Sequence, residues 1–219
     1  MSASASAIRR LEVRWVLLST AGLAAGLALG LGLGKPVQAV VGMMLVTPVV
    51  LAITGSVLGA SQSLAMGRGG RSAAFWIGST ALGVALGMTL GIVVVETAGR
   101  SITGAPVRLV ALGPLARLIG LTVVGSVTGL AVGLAQRISL RHHPAASKRW
   151  VAVSVIGFGI GLPGGGVAAD LLLGGLRTAA GFGLFLTAAG LITGIFTARG
   201  AARIVLALDG GDPGRLTSA

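Results

Sequence analysis

The chain has 219 residues, of which 54% are hydrophobic and only 10% are charged, and its formal net charge is +12. An ordinary soluble domain carries about 25% charged residues, so this composition excludes that class and favours a membrane protein. The absence of cysteine excludes disulfides and thiolate metal sites, and the few aromatic side chains argue against a nucleic-acid partner.

Six apolar segments are long enough to cross a hydrocarbon core of about 30 Å as helices. They cover residues 15–34, 42–64, 76–95, 116–136, 150–173 and 178–198. No Lys or Arg lies deep inside a segment, where it would cost about 2.5–3.5 kcal/mol. The sequence therefore predicts an all-α polytopic membrane protein with six transmembrane helices. Residues 1–14 are predicted to be a cytoplasmic tail whose Ser/Ala-rich start is disordered, and residues 200–219 a cytoplasmic tail that is disordered from about Leu208.

The basic residues predict the orientation, because cytoplasmic loops carry an excess of Lys and Arg. With the N-terminus inside, twelve basic residues are cytoplasmic: Arg9, Arg10, Arg14, Arg68, Arg71, Arg137, Arg141, Lys148, Arg149, Arg199, Arg203 and Arg215. Five remain outside: Lys35, Arg100, Arg108, Arg117 and Arg177. We therefore attribute the net charge to orientation and to contact with anionic lipids rather than to nucleic acid.

One pattern occurs three times along the chain, and each copy begins at a tryptophan. Trp15, Trp76 and Trp150 each open an apolar run, with a hydroxyl residue four positions later: Ser19, Thr80 and Ser154. Glycines follow at 7, 11 and 15 positions: Gly22, Gly26 and Gly30; Gly83, Gly87 and Gly91; Gly157, Gly161 and Gly165.

The second, fourth and sixth segments share a closing pattern. Their residues are Gly55, Gly59 and Gln62; Gly129, Gly133 and Gln136; and Gly190, Gly194 and Thr197. Each odd segment and the even segment after it thus form one unit, at about 15–68, 76–141 and 150–199. The sequence predicts three repeated helical hairpins in a membrane domain spanning residues 15–199.

Glycines four residues apart form a narrow groove on one side of a helix, where a neighbouring backbone can approach closely. The glycines of both patterns are therefore predicted to serve helix packing. The tryptophans are predicted to mark the cytoplasmic interface, with the indole N–H in contact with water.

Three charged residues occupy the same position, twenty residues after each tryptophan: Lys35, Glu96 and Asp170. A helix of this length spans about 30 Å, so all three are expected at the outer interface. Two interpretations stay open, an ionic ring at the outer mouth and ordinary charges at helix ends. Asp170 lies between apolar residues, and an acid near the membrane is a functional candidate.

Other motifs give little indication of chemistry. Pro163, within Gly161–Gly166, predicts either a break in the fifth segment of the kind that transporters use or a simple kink, and Pro48 allows the same alternatives. His142 and His143 have no accompanying Cys or acidic cluster and are interpreted as a solvated loop pair. The segments contain no catalytic triad, acid pair or HExxH motif, so we predict no enzyme activity and no cofactor.

The pattern Trp-x3-Ser/Thr-x2-Gly-x3-Gly, with Gly55-x3-Gly59-x2-Gln62-x5-Arg68 closing the hairpin, resembles uncharacterised bacterial multipass membrane proteins with Trp- and Gly-rich repeated hairpins. The second copy reaches Arg141 one residue earlier, and the third has Thr197 in place of Gln. The resemblance covers residues 15 to about 199. It implies a bacterial inner membrane and implies no activity.

Two functions follow as hypotheses from these patterns. The first is a non-enzymatic scaffold or subunit that acts through glycine-mediated packing with lipid, with itself or with another membrane protein. The alternative is a small transporter or channel for a neutral or small solute. Its predicted polar lining is Ser19, Thr80, Ser154, Gln62 and Gln136, with Lys35, Glu96 and Asp170 at the outer mouth.

Overall fold

The protein is a bundle of long helices. Its computed structural model describes residues 3–67, 69–105, 108–109, 112–140, 144–173 and 179–208. Seven α-helices occur in these ranges: α1 (Ala3–Gly32), α2 (Gly34–Val41), α3 (Met43–Ala65), α4 (Gly70–Thr103), α5 (Pro114–Arg137), α6 (Pro144–Leu173) and α7 (Ala179–Leu208). A 3₁₀ turn, Ile138–Leu140, follows α5. The described ranges contain no strand.

Six of these helices, all except α2, are long and apolar enough to cross a membrane. The prediction of an all-α polytopic fold with six spans is therefore confirmed. Large apolar side chains are exposed on every one of the six, among them Leu17, Leu45, Leu86, Leu130, Ile156 and Leu191. Such a surface is suited to lipid rather than to water.

Several predicted boundaries were wrong because apolar length sets only the membrane-crossing part of a helix. Helix α1 begins at Ala3, so most of the predicted tail 1–14 is helical, including most of the Ser/Ala-rich start that was predicted to be disordered. Helix α4 continues eight residues past the predicted end of its span, to Thr103, and α7 continues ten residues past the predicted end of its span at 198, to Leu208. Residues 209–219 lie outside the described residues. Helix α2 was not predicted, and its turn into α3 passes through Gly42 at φ 79°, a conformation that favours glycine.

The proline-containing segments form continuous helices. Pro163 lies inside α6 and Pro48 inside α3, and neither helix is interrupted there. The predicted alternative of a broken fifth segment is therefore wrong. Neighbouring helices can satisfy the backbone group that a proline leaves unpaired in a membrane bundle.

The six long helices form a closed ring. In chain order α1 packs against α3, α3 against α4, α4 against α5, α5 against α6, and α6 against α7. Helix α7 then packs against α1, which joins the two ends of the chain's helical series. The ring has an interior, and the side chains within it form the candidate functional site.

Candidate functional site: the tryptophan cluster and the enclosed cavity

The glycines of the two sequence patterns lie where one helix meets the next. A Cβ atom added to any of the fifteen would lie within 3.2 Å of an atom of the neighbouring helix. For Gly87 on α4 the nearest atom is the Cα of Thr128 on α5, at 2.5 Å. For Gly190 on α7 it is the Cα of Thr20 on α1, at 3.0 Å. Glycine thus allows the close backbone approach on which a bundle in lipid depends.

The direction of these contacts follows the chain. Glycines of α1 face α3, those of α3 face α4, and the order continues until those of α7 face α1. The sequence patterns missed several glycines at these contacts, and Gly125 is the one that extends a pattern. Gly125 on α5 lies against the carbonyl of Phe158 on α6, four residues before Gly129 and on the same side. Its spacing from Gly129 and Gly133 is the signal that could have identified it.

The three tryptophans meet inside one end of the ring, which we call the tryptophan end. Trp15 and Trp76 are 0% exposed and Trp150 is 2% exposed. Their ring centroids are 5.8 Å apart for Trp15 and Trp150, and 5.8 Å for Trp76 and Trp150. Edge-to-face and tilted pairs at this distance are favourable. The prediction that the indoles contact interfacial water was wrong, because their N–H groups have partners within the protein.

Each indole N–H donates to a side chain of the closing pattern. Trp76 Nε1 donates to Gln62 Oε1 at 3.1 Å, and Trp150 Nε1 donates to Gln136 Oε1 at 2.7 Å. Trp15 Nε1 donates to Thr197 Oγ1 at 2.9 Å, across the contact between α1 and α7. The closing residues therefore act as acceptors for the tryptophans.

The two glutamines extend these pairs into a network. Gln136 Nε2 donates to Thr80 Oγ1 at 2.7 Å and to Gln62 Oε1 at 3.4 Å. Thr80 in turn donates to the carbonyl oxygen of Trp76 at 2.8 Å. Because all of these groups are buried, satisfied hydrogen bonds fix the indoles in place. The three packed indoles and this network, which we call the tryptophan cluster, close the tryptophan end of the ring.

The other hydroxyls of the repeated pattern lie beside this network without joining it. Ser19 and Ser154 are 3% and 1% exposed, and their hydroxyls have no hydrogen-bond partner among the described residues. Even when small polar side chains of this kind form hydrogen bonds, they contribute only modestly to the stability of helix packing in a membrane.

Beyond the tryptophan cluster the ring encloses a cavity of about 520 Å³. All six long helices and α2 contribute to its wall. Its apolar residues include Leu23 and Leu27 of α1, Val50 and Leu51 of α3, Val84, Met88 and Ile92 of α4, Leu121 and Val124 of α5, Phe158 and Leu162 of α6, and Phe185 and Leu186 of α7. The volume lies within the range of about 300–1,000 Å³ typical of small-molecule sites.

Four polar residues lie in the cavity wall: Gln38, Thr47, Thr54 and Arg117. None of them belongs to the polar lining predicted from the sequence. The hydroxyl of Thr54 donates a hydrogen bond to the carbonyl oxygen of Val50 at 2.9 Å. Its proton is therefore not available to a molecule in the cavity. The predicted residues Gln62, Gln136 and Thr80 lie instead in the tryptophan cluster.

The charged residues at the far end of the ring pair differently from the predicted ionic ring. The guanidinium of Arg117 on α5 forms a salt bridge with the carboxylate of Asp170 on α6. Glu96 is half-buried on α4, and the described residues show no salt bridge to it. Lys35 is in α2, but its side chain lies outside the described part of the chain, as do His142 and His143. From the sequence, Arg117 is predicted only to be an outer charge.

Comparison with known proteins gives no match: no protein-family model, no curated protein and no solved structure is significantly similar to the chain. The family resemblance inferred from the repeated motifs therefore stays a prediction.

Proposed function

We propose that this integral membrane protein receives a small, mainly apolar molecule in the cavity enclosed by its helices, as a carrier or channel. The observation that supports this most is the cavity of about 520 Å³, to which every long helix contributes. A cavity of this size with mostly apolar walls and a few polar groups is the usual form of a small-molecule site.

The tryptophan cluster defines the direction of access in this hypothesis. The buried indoles of Trp15, Trp76 and Trp150 obstruct one end of the ring, so a molecule enters from the end that contains Arg117 or between helices there. Passage through the protein would require the indoles to separate and the bonds to Gln62 and Gln136 to break. The protein would then alternate between this closed form and an open one.

The scaffold hypothesis receives less support. It rested on glycine grooves that pack against a partner or a second copy. All fifteen of those glycines contact a neighbouring helix of the same chain, so they are occupied within the ring. A partner would have to use the exposed Leu, Ile and Val side chains, which are equally suited to lipid.

The remaining sequence predictions belong to the same proposal. The equal spacing and similar bonds of the Trp76–Gln62 and Trp150–Gln136 pairs support three repeated hairpins. The positive-inside rule supports a tryptophan end that faces the cytoplasm of a bacterium, with both termini there. The lack of a catalytic motif in the sequence supports a function without enzyme activity.

Saturable binding of a simple apolar molecule tests the proposal. The protein is placed in phosphatidylcholine nanodiscs, and binding of tritiated dodecanol is measured above that of empty nanodiscs. Met88→Trp places a bulky ring in the cavity, whereas Leu86→Trp, two residues away on α4, faces outward. We expect Met88→Trp to weaken binding by about tenfold or more and Leu86→Trp to leave it unchanged.

Two results would contradict the proposal. One is no saturable binding to the wild-type protein, and the other is an equal effect of both tryptophan substitutions. If dodecanol fails to bind while native mass spectrometry shows a fixed homo-oligomer or a stoichiometric partner, the scaffold hypothesis is preferred.

A further inference from the structure

We propose that Arg117 recognises an anionic head group, so that the cavity takes a single-chain amphiphile with a carboxylate or phosphate head and an apolar tail. This inference rests on the proposed function, because it names the chemical class of the molecule that the cavity receives.

The first argument is the distribution of charge in the cavity wall. Arg117 alone is charged among the described residues that line it. It lies in the first turn of α5, which begins at Pro114, and therefore at one end of the cavity. From this end to Val124 the helix rises about 10 Å, and the wall along it is apolar. One cationic end and an apolar body match an anionic amphiphile.

The second argument is the hydrogen-bonding capacity that Arg117 retains. A guanidinium has five N–H donors in a planar fork that suits carboxylate and phosphate oxygens. Within the described residues, the side chain of Arg117 makes a single hydrogen bond, from Nη2 to Asp170 Oδ2. The donors that remain can bind a head group while the tail enters the cavity.

The third argument concerns Asp170, which serves as the counter-ion when no ligand is bound. A largely buried guanidinium without a counter-ion is costly in a membrane, and Asp170 supplies one. The Asp170 side chain is 30% exposed, against 15% for Arg117, and it lies in the last turn of α6 before Leu173. An incoming anion therefore competes with Asp170, which can turn toward solvent.

This arrangement gives the two members of the ion pair opposite effects on binding. Removing the cation weakens the binding of an anionic amphiphile, whereas removing the competing acid strengthens it. A salt bridge with a purely structural role predicts something else: both changes lower thermal stability, and neither alters the preference for an anionic over a neutral ligand.

The test compares four probes in phosphatidylcholine nanodiscs at pH 8, where a free carboxylic acid is ionised. They are dodecanoate, dodecyl phosphate, dodecanol and dodecyltrimethylammonium, and the variants are Arg117→Gln, Arg117→Lys and Asp170→Asn. Thermal unfolding of each variant is measured in parallel. Comparison of dodecanoate with dodecyl phosphate decides which head group Arg117 prefers.

For Arg117→Gln we expect dodecanoate affinity to fall by about tenfold or more while dodecanol affinity changes by less than about twofold. Arg117→Lys should retain part of the anion preference, and Asp170→Asn should raise anion affinity. Dodecyltrimethylammonium should show no saturable binding. If Arg117→Gln does not fold, the ratio of dodecanoate to dodecanol affinity in Asp170→Asn decides the matter.

The inference is overturned if the wild-type protein binds dodecanol and dodecanoate equally, or if Asp170→Asn lowers or leaves unchanged the affinity ratio. In those cases saturable dodecanol binding leaves the proposed function intact. If no probe shows saturable binding, both this inference and the proposed function are contradicted.

Discussion

Trp150 Nε1 donates a 2.7 Å hydrogen bond to Oε1 of Gln136, fourteen residues earlier in the chain. The same separation joins Trp76 to Gln62, at 3.1 Å. In both cases the tryptophan begins one pattern and the glutamine ends the preceding one. The bond therefore links the last turn of an even-numbered membrane span to the helix that follows it, and it lies inside the tryptophan end of the ring.

The Gln136 amide is predicted to be the most sensitive part of this network, because it bonds Trp150, Thr80 and Gln62. Gln136→Leu leaves the Trp150 N–H without its acceptor. We expect a loss of about 1–3 kcal/mol in the free energy of unfolding, measured by denaturant titration in mild detergent. Thr122→Val, on the exposed side of α5, is the control and should change stability little. A stable Gln136→Leu protein would contradict the role assigned to the network.

The glycines of α4 offer a matched pair for testing close packing. A Cβ added to Gly87 would lie 2.5 Å from the Cα of Thr128, whereas one added to Gly78 meets nothing within 4 Å. We expect Gly87→Ala to destabilise the protein by about 1–3 kcal/mol. Gly78→Ala should be neutral or stabilising by up to about 1 kcal/mol, because alanine favours helix. Thermal unfolding of both variants separates the effect of helix packing from that of helix propensity. Equal changes in stability would show that the close approach of α4 and α5 at Gly87 is unimportant.

The burial of the indoles predicts their fluorescence. Since Trp15, Trp76 and Trp150 are at most 2% exposed, acrylamide should quench the native emission only weakly. Ile138→Trp places a fourth indole on the exposed 3₁₀ turn near the same end and should add a strongly quenched fraction. Uniformly strong quenching of the wild-type protein would instead indicate tryptophans at the membrane interface.

The sequence predicted the spans well, because apolar length is a direct consequence of bilayer thickness. It failed on the tryptophans, because an indole at the end of a span is compatible with either an interface or a buried hydrogen bond. The equal separation of Trp76 from Gln62 and of Trp150 from Gln136 was visible in the sequence. That this separation corresponds to a hydrogen bond became evident only once the neighbouring helices were known.

The cavity could not be predicted from the sequence. Residues such as Leu27 and Val84 in its wall have the same apolar character as Leu29 and Leu82, which are exposed on the outside. The sequence predicts Arg117 only as one of five outer basic residues, and the ring of helices places it beside the cavity. The contact between α1 and α7 that closes the ring includes the hydrogen bond of Trp15 to Thr197, 182 residues apart, where threonine replaces the repeated glutamine.

The closed ring is the central claim, and the contact between α1 and α7 tests it most directly. A Cβ added to Gly190 would lie 3.5 Å from the Cβ of Leu23, a separation that permits a disulfide. The chain has no cysteine, so Leu23→Cys combined with Gly190→Cys introduces a unique pair. Gly190→Cys combined with Leu82→Cys, which faces outward on α4, is the control.

The measurement is oxidative cross-linking of these variants in nanodiscs that contain one copy each, with the bond located by peptide mass spectrometry. A closed ring predicts an intramolecular disulfide between positions 23 and 190 and none in the control. In a variant that keeps the helical content of the wild-type protein, absence of this bond would contradict the ring and the enclosed cavity with it.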